Sequence, residues 1–247
     1  MRVRVISRRR AARDLGWTVL ALAVLALAAL IGDWARAAPA RPPYAGAVYS
    51  VRTSAKLVAL GVNVVWGTQY VEPMLRELVR AHAAATFFLG GRWAEENPAL
   101  AGRIARAGME IGNHGFDHRH QSLLSFDENL KEMTRAARAI ELATGVRPTL
   151  FAPPYGEYNP TVLKAAAELH LTLVMWTIDT IDWRPSSSPA LIAERIQKKL
   201  RPGAIILMHP TERTVEALKG LLASLARDGY RVVTVSALLG SGSPQGE

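Results

Sequence analysis

From Lys56 onward the chain alternates short apolar runs with segments of helical periodicity, and this alternation most constrains its fold. Apolar runs at Lys56–Val62, Ala84–Leu89, Met109–Gly112, Thr149–Ala152, Leu171–Ile178, Ala204–Met208 and Arg231–Val235 each predict a strand. Between them, Val71–His82, Asn97–Ala107, Ser125–Thr144, Pro160–Leu169, Pro189–Leu200 and Thr214–Asp228 predict helices. Ser125–Thr144 carries the clearest boundaries: Ser125 and Glu128 form a capping-box pattern, and Gly145 stops the helix. About seven strands alternating with helices predict an α/β fold, a parallel sheet with helices outside. A barrel and an open sheet both fit.

The head of the chain is of another kind. Residues 1–40 hold seven Arg against two Asp, which places +5 of the formal +9 charge there. The remaining +4 forms no basic stripe interleaved with aromatics, so nucleic acid is not an expected partner. After the Arg cluster comes an uncharged 18-residue run, Leu15–Gly32. That is near the lower limit of a membrane span (~17–25 residues) and longer than the usual signal-peptide core (roughly 7–15). Ala35-Arg36-Ala37-Ala38 offers a cleavage site, so a retained anchor and a cleaved signal both stand, with a buried core helix the lesser alternative. The positive-inside rule puts the bulk of the chain outside the cytoplasm. The absence of cysteine is compatible with that and diagnoses nothing. The expected layout is a basic start and signal or anchor helix over 1–34, a linker over 35–52, a domain over 53–240 and a mobile tail over 241–247.

Nearly every polar cluster follows a predicted strand, the position where barrel enzymes build their sites. In IGNHGFDHRH, His114 and His118 stand four residues apart, a spacing that on one helical turn lets two imidazoles grip one metal ion. A chance pair on a solvent-facing turn is the competing reading, and Asp117 and His120 beside them read as surface groups first, or else as further ligands or outer partners. WTIDTIDW supplies Asp179 and Asp182; Asp179, directly after the strand, is the better candidate to orient an imidazole. Trp183 is a candidate wall of a sugar site or a core residue. His209 ends IILMHP and, with a carboxylate partner, would serve as a general acid; otherwise it is a core histidine. Pro153, Pro154 and Tyr155 read as a rigid turn, or as a device that aims the Tyr155 N–H at an oxyanion.

Five blocks in order, TFFLGGRWAEENP, EIGNHGFDHRH, FAPPYGEYN, MWTIDTIDW and GAIILMHP, resemble the polysaccharide deacetylase family, the NodB-type domain of carbohydrate esterase family 4. The resemblance runs from about Lys56 to Leu239 and is nearest to the sporulation-associated deacetylase-like branch. It implies a distorted (β/α) barrel and hydrolytic removal of acetyl groups from N-acetylated sugars of chitin-like chains or peptidoglycan. It also implies a divalent metal, zinc the expected ion, held by His114, His118 and an Asp. His209 would be the acid, Tyr155 the oxyanion donor, and Asp179 the partner of His209. Pro154, Trp183 and Glu157 would lie on the substrate.

The family's first motif, TFDDG, supplies a base Asp and a metal Asp. Here the matching stretch is Gly61-Val62-Asn63-Val64-Val65-Trp66-Gly67, with no carboxylate. Asn63 stands nearest the base, and Val64 or Val65 falls at the metal Asp. The Arg that precedes Pro-Pro-Tyr in the third motif is Ala152. The two losses agree: in the family the Arg contacts the base, and removing the Asp alone would strand a buried guanidinium. An amide cannot take a proton at neutral pH, and losing a general base costs ~10²–10⁴-fold in rate. Metal binding should be weakened. Glu157, Asp117 and Glu72 are the candidate replacement carboxylates, Glu157 first. The retained acid half leans the reading toward a hydrolase of cell-envelope glycan. The alternatives are a catalytically inactive glycan-binding pseudoenzyme of the cell or spore envelope and a structural envelope protein.

Overall fold

A computed structural model describes Tyr44 and residues 46–247. The basic start and the Leu15–Gly32 run lie outside the described residues, and no helix among those described is long and apolar enough to cross a membrane. In chain order the elements begin with β1 (Ala47–Val48), β2 (Ser50–Arg52), β3 (Leu57–Val64), α1 (Val71–Arg80), β4 (Thr86–Leu89), α2 (Gly91–Glu96), α3 (Pro98–Arg106) and β5 (Glu110–Asn113). Then come α4 (Phe126–Thr144), β6 (Leu150–Phe151), α5 (Pro160–Glu168), β7 (Thr172–Val174), β8 (Ile178–Asp179) and α6 (Pro189–Lys199). The chain closes with β9 (Ile205–Met208), α7 (Glu212–Arg227), β10 (Arg231–Val233), α8 (Val235–Leu239) and β11 (Ser243–Gln245).

The main sheet runs β1-β7-β6-β5-β4-β3-β9-β8, with β10 paired to the first half of β3, and every pair in it is parallel. Chain connectivity forces this sheet to curl. β7 lies near one end of the order and β8 at the other, yet only Met175–Thr177 separates them. Four residue steps span at most ~14 Å, so the two ends of the sheet must meet across that distance. The result is the curled half-barrel of a distorted (β/α) barrel. Seven strands were expected and, among the described residues, the main sheet has nine, because β1 joins it and the Leu171–Ile178 run divides into β7 and β8.

Strand alternation sorts β3 into two faces. Leu57 and Ala59 pack inside with Phe88, Leu150, Val174 and Ile205. Val58, Leu60, Val62 and Val64 face outward into the layer under the helices, with Met74, Leu78, Ile104 and Ile206. Phe88 fills the interior because Gly112 leaves room: a Cβ there would stand 2.3 Å from its ring. Helix α4 has the expected ends. Ser125 caps it through a complete capping box, and Gly145 at φ 73° closes it.

Two boundary expectations are corrected. Within the expected linker, residues 47–52 build β1 and β2, and within the expected tail Ser243–Gln245 forms β11, which pairs antiparallel with β2. Composition missed both because their hydrogen-bond partners are distant in sequence. β1 docks on β7, and the Val51 N–H donates to Gly203 O at 2.9 Å. Gly203 sits at φ 81°, where a Cβ would lie 1.7 Å from Val51 O.

Candidate active site

The C-terminal ends of the parallel strands open on one cavity of about 520 Å³. Asn63 comes to it from β3, His114 and His118 from the loop after β5, and Tyr155 from the turn after β6. Asp179 and Trp183 come from β8 and the loop beyond it, and His209 follows β9. Seven of the residues singled out in sequence therefore line the same space. Trp66 and Trp176 also line it. They went unassigned because an isolated Trp in sequence reads equally as core.

The two histidines are not on a helix. Residues 114–120 form an irregular loop, with Gly115 at φ 72° and His118 at φ 53°. Glu132 of α4, 4% exposed, shapes this loop by accepting from the N–H groups of Phe116 (3.1 Å) and Asp117 (3.0 Å). Asn113 Oδ1 accepts from Gly115 N–H at 2.8 Å. The loop holds the two rings with centroids 5.2 Å apart. His114 is buried, and its Nδ1 donates to Ala152 O at 2.6 Å, which leaves Nε2 as the free base. Burial first, and then the neighbouring His118, push the His114 imidazole down to about 3. Burial and then His209 lower His118 as well. Both rings are therefore neutral at pH 7, the form in which imidazole ligates metal.

The acid half differs from expectation in one residue. The carboxylate that orients His209 is Asp182, not Asp179. His209 Nδ1 donates to Asp182 Oδ1 at 2.8 Å, while the His209 backbone N–H (2.7 Å) and the Thr214 hydroxyl (2.7 Å) donate to Oδ2. Asp182 is fully buried. Asp179 directs its Oδ1 to Ile181 N–H at 2.8 Å and lines the cavity instead. Strand proximity misled the sequence argument: Ile181, at φ 51°, reverses the backbone and carries Asp182 under the imidazole. Arg195 donates to Thr180 O (2.5 Å) and Arg213 to Asp182 O (3.2 Å), which secures that turn. Trp66 covers the exposed face of His209, ring centroids 5.4 Å apart and planes 22° from parallel.

None of the proposed replacement carboxylates is among the residues lining the cavity. Glu157 accepts from His120 Nδ1 and Ser122 Oγ, each at 3.0 Å, and the His120 bond draws its carboxyl below the usual range. His120 itself stacks on the outer face of Tyr155, centroids 3.9 Å apart. Asp117 pairs with Arg92 and, at 3.7 Å, with Arg135; Glu72 pairs with Arg103. Pro154 is buried beneath the Tyr155 turn and is likewise not among the lining residues. Tyr155 takes φ 60°, a rare value for a side chain of its size, and stands 54% exposed beside His118. Asp179 is thus the one carboxylate lining the cavity among the described residues.

Members of the deacetylase family generally depend on a divalent metal, so the donor set bears on function. Two neutral imidazoles are present, but no group of three His, Cys, Asp or Glu suited to a metal exists among the described residues. A catalytic zinc site takes three protein ligands. Val64 or Val65 stands at the expected position of the third, and neither can ligate: Val64 packs fully buried in the sheet–helix layer, and Val65 is half-buried beside it. Asn63 is 5% exposed, and its Oδ1 has no hydrogen-bond partner. Ala152 packs in the barrel interior, where the family's Arg would approach the base. The residues present do not fit a resident metal.

The family model for polysaccharide deacetylase matches residues 50–174. The chain is 40% identical over 192 residues to the uncharacterized protein YlxY of Bacillus subtilis, covering 78% of this chain and 60% of that one. It is 32% identical over 197 residues to a peptidoglycan-N-acetylglucosamine deacetylase of Bacillus cereus, covering 77% of this chain and 92% of the relative. Among solved structures it is similar to a family 4 pseudoenzyme from Bacillus anthracis, with a TM-score of 0.77 and 39% identity, over 79% of this chain and 69% of the other. The family model, the sequence relative and the structural neighbour together show that the chain belongs to the polysaccharide deacetylase family, carbohydrate esterase family 4.

Proposed function

We propose that this protein holds cell-envelope glycan in the described cavity, outside the cytoplasm, and does not release acetate by the family's metal-dependent route. The observation that carries this reading is the composition of the cavity wall. It keeps the His209–Asp182 pair but presents the amide of Asn63 and the valines at 64 and 65 where the reaction needs a base and a metal ligand. Trp66, Trp183 and Tyr155 stand 50%, 48% and 54% exposed around the cavity, the amphipathic surface that sugar rings stack on. The peptidoglycan deacetylase activity of a relative supports a wall glycan as ligand, and a relative described as a pseudoenzyme supports binding without turnover. The Arg-rich start and the uncharged run after it support a membrane tether or a secretion signal.

What the residues do follows from their placement. Asp182 fixes the His209 ring with its Nε2 free, able to donate or accept a proton there according to charge state. Asn63 accepts or donates a hydrogen bond but takes no proton. Losing the base removes ~10²–10⁴-fold in rate even before the metal is considered. A second reading keeps hydrolysis, with Asp179 as a displaced base, because its carboxylate shares the cavity with His209.

One experiment separates them. The full chain is incubated with acetylated peptidoglycan and with N-acetylglucosamine oligomers while acetate is measured, and glycan binding is followed by calorimetry. Binding with acetate release at the buffer background supports the proposal. Turnover that Asp179→Asn abolishes establishes the hydrolase. Neither binding nor turnover overturns both.

A further inference from the structure

The charge of the cavity identifies the form of glycan it accepts. Among the described residues its lining contains no Lys or Arg, and its one carboxylate is Asp179. That carboxylate is fixed. Its Oδ1 accepts from Ile181 N–H, and Oδ2 has no hydrogen-bond partner among the described residues. The turn that fixes it holds a β-branched residue in the left-handed region, a costly conformation that the surrounding hydrogen bonds enforce. Trp66, Trp176 and Trp183 add π faces.

An anion and three aromatic faces ask for the same thing, a cationic donor. An ammonium group offers three N–H donors and no acceptor, and aromatic faces attract it. An N-acetyl group instead presents a carbonyl oxygen to a wall that has neither metal ligand set nor cationic side chain to receive it. We infer that the cavity selects the de-N-acetylated glycan, binding an amino sugar whose ammonium pairs with Asp179. This rests on the reading that the cavity holds glycan. It casts the protein as a reader of the product that deacetylase relatives generate, rather than as a producer of it.

The test is calorimetric titration of the full chain at pH 6.5 with two β-1,4-linked tetramers, one of glucosamine and one of N-acetylglucosamine. An amine with a pKa of ~7.7 is mostly charged at that pH. The glucosamine tetramer should bind at least tenfold tighter. Asp179→Asn should remove at least tenfold of that affinity while changing the acetylated tetramer less than threefold. Equal or tighter binding of the acetylated tetramer to the unsubstituted protein overturns this inference and leaves the glycan reading intact. Binding of neither overturns both. Because the ligand comparison uses the unsubstituted chain, it decides the question even if the variant folds poorly.

Discussion

The assignment of Asp182, not Asp179, as the partner of His209 makes a quantitative prediction through Asp182→Asn. Asp182 is fully buried and accepts three hydrogen bonds, from the His209 N–H, the His209 ring and the Thr214 hydroxyl. Either orientation of an asparagine amide sets an NH2 group against at least one of these donors. A hydrogen bond to a charged group contributes about 1.5–3 kcal/mol, and a buried donor left unpaired costs about 1–3 kcal/mol. With the other bonds partly kept, the variant should lose about 2–3 kcal/mol. At a urea slope of ~2 kcal/mol/M that moves the unfolding midpoint down by ~1–1.5 M. The same change at Asp179 keeps the bond from Ile181, because asparagine retains Oδ1 as an acceptor, and should stay within ~0.5 kcal/mol. The assay is urea unfolding of the full chain followed by tryptophan fluorescence. A cost above 2 kcal/mol at Asp179 with none at Asp182 would refute the reasoning.

The remaining predictions address other parts of the site and fold. An unfolded chain protonates His114 below about pH 6.5, whereas the folded protein resists until about 3, so the unfolded state binds more protons in that window. Stability is therefore full above pH 6.5 and falls as the pH drops toward 3; His114→Gln should lessen the loss between pH 6.5 and 4.5 by ~2 kcal/mol in urea melts. Trp66→Ala should weaken oligosaccharide binding about five- to tenfold by removing an aromatic wall of ~1 kcal/mol, measured by calorimetry. Gly203→Ala sets a methyl group against Val51 O at a left-handed position and should cost at least ~3 kcal/mol, seen as a thermal midpoint lowered by roughly 6–12 °C. Exhaustive chelation should leave the thermal midpoint unchanged within error, since the described residues form no three-ligand metal group.

What was legible in sequence was whatever local spacing encodes. Helix α4 carried its own start and stop in Ser125, Glu128 and Gly145. The strand alternation encoded the parallel sheet, and the loss of carboxylates around Asn63 was visible in the letters alone. The split of Leu171–Ile178 was not visible, because periodicity does not reveal that β7 and β8 pair at opposite ends of the sheet. Nor were β1, β2 and β11, whose short runs become strands only through distant partners.

The site divides in the same way. Residue identity determined that His114, His118, Tyr155 and His209 stand ready after strands, and that no acid remains at positions 63 to 65. Tertiary structure decided which carboxylate serves which group. Asp179 and Asp182 are nearly equivalent in sequence, but the left-handed turn at Ile181 buries one under His209 and leaves the other facing the cavity. It also decided that Glu157, Asp117 and Glu72 are committed to His120, Arg92 and Arg103. Hydrogen bonds and burial depend on direction in space, and a side chain's direction is set by the backbone dihedrals and neighbours that only the folded chain supplies.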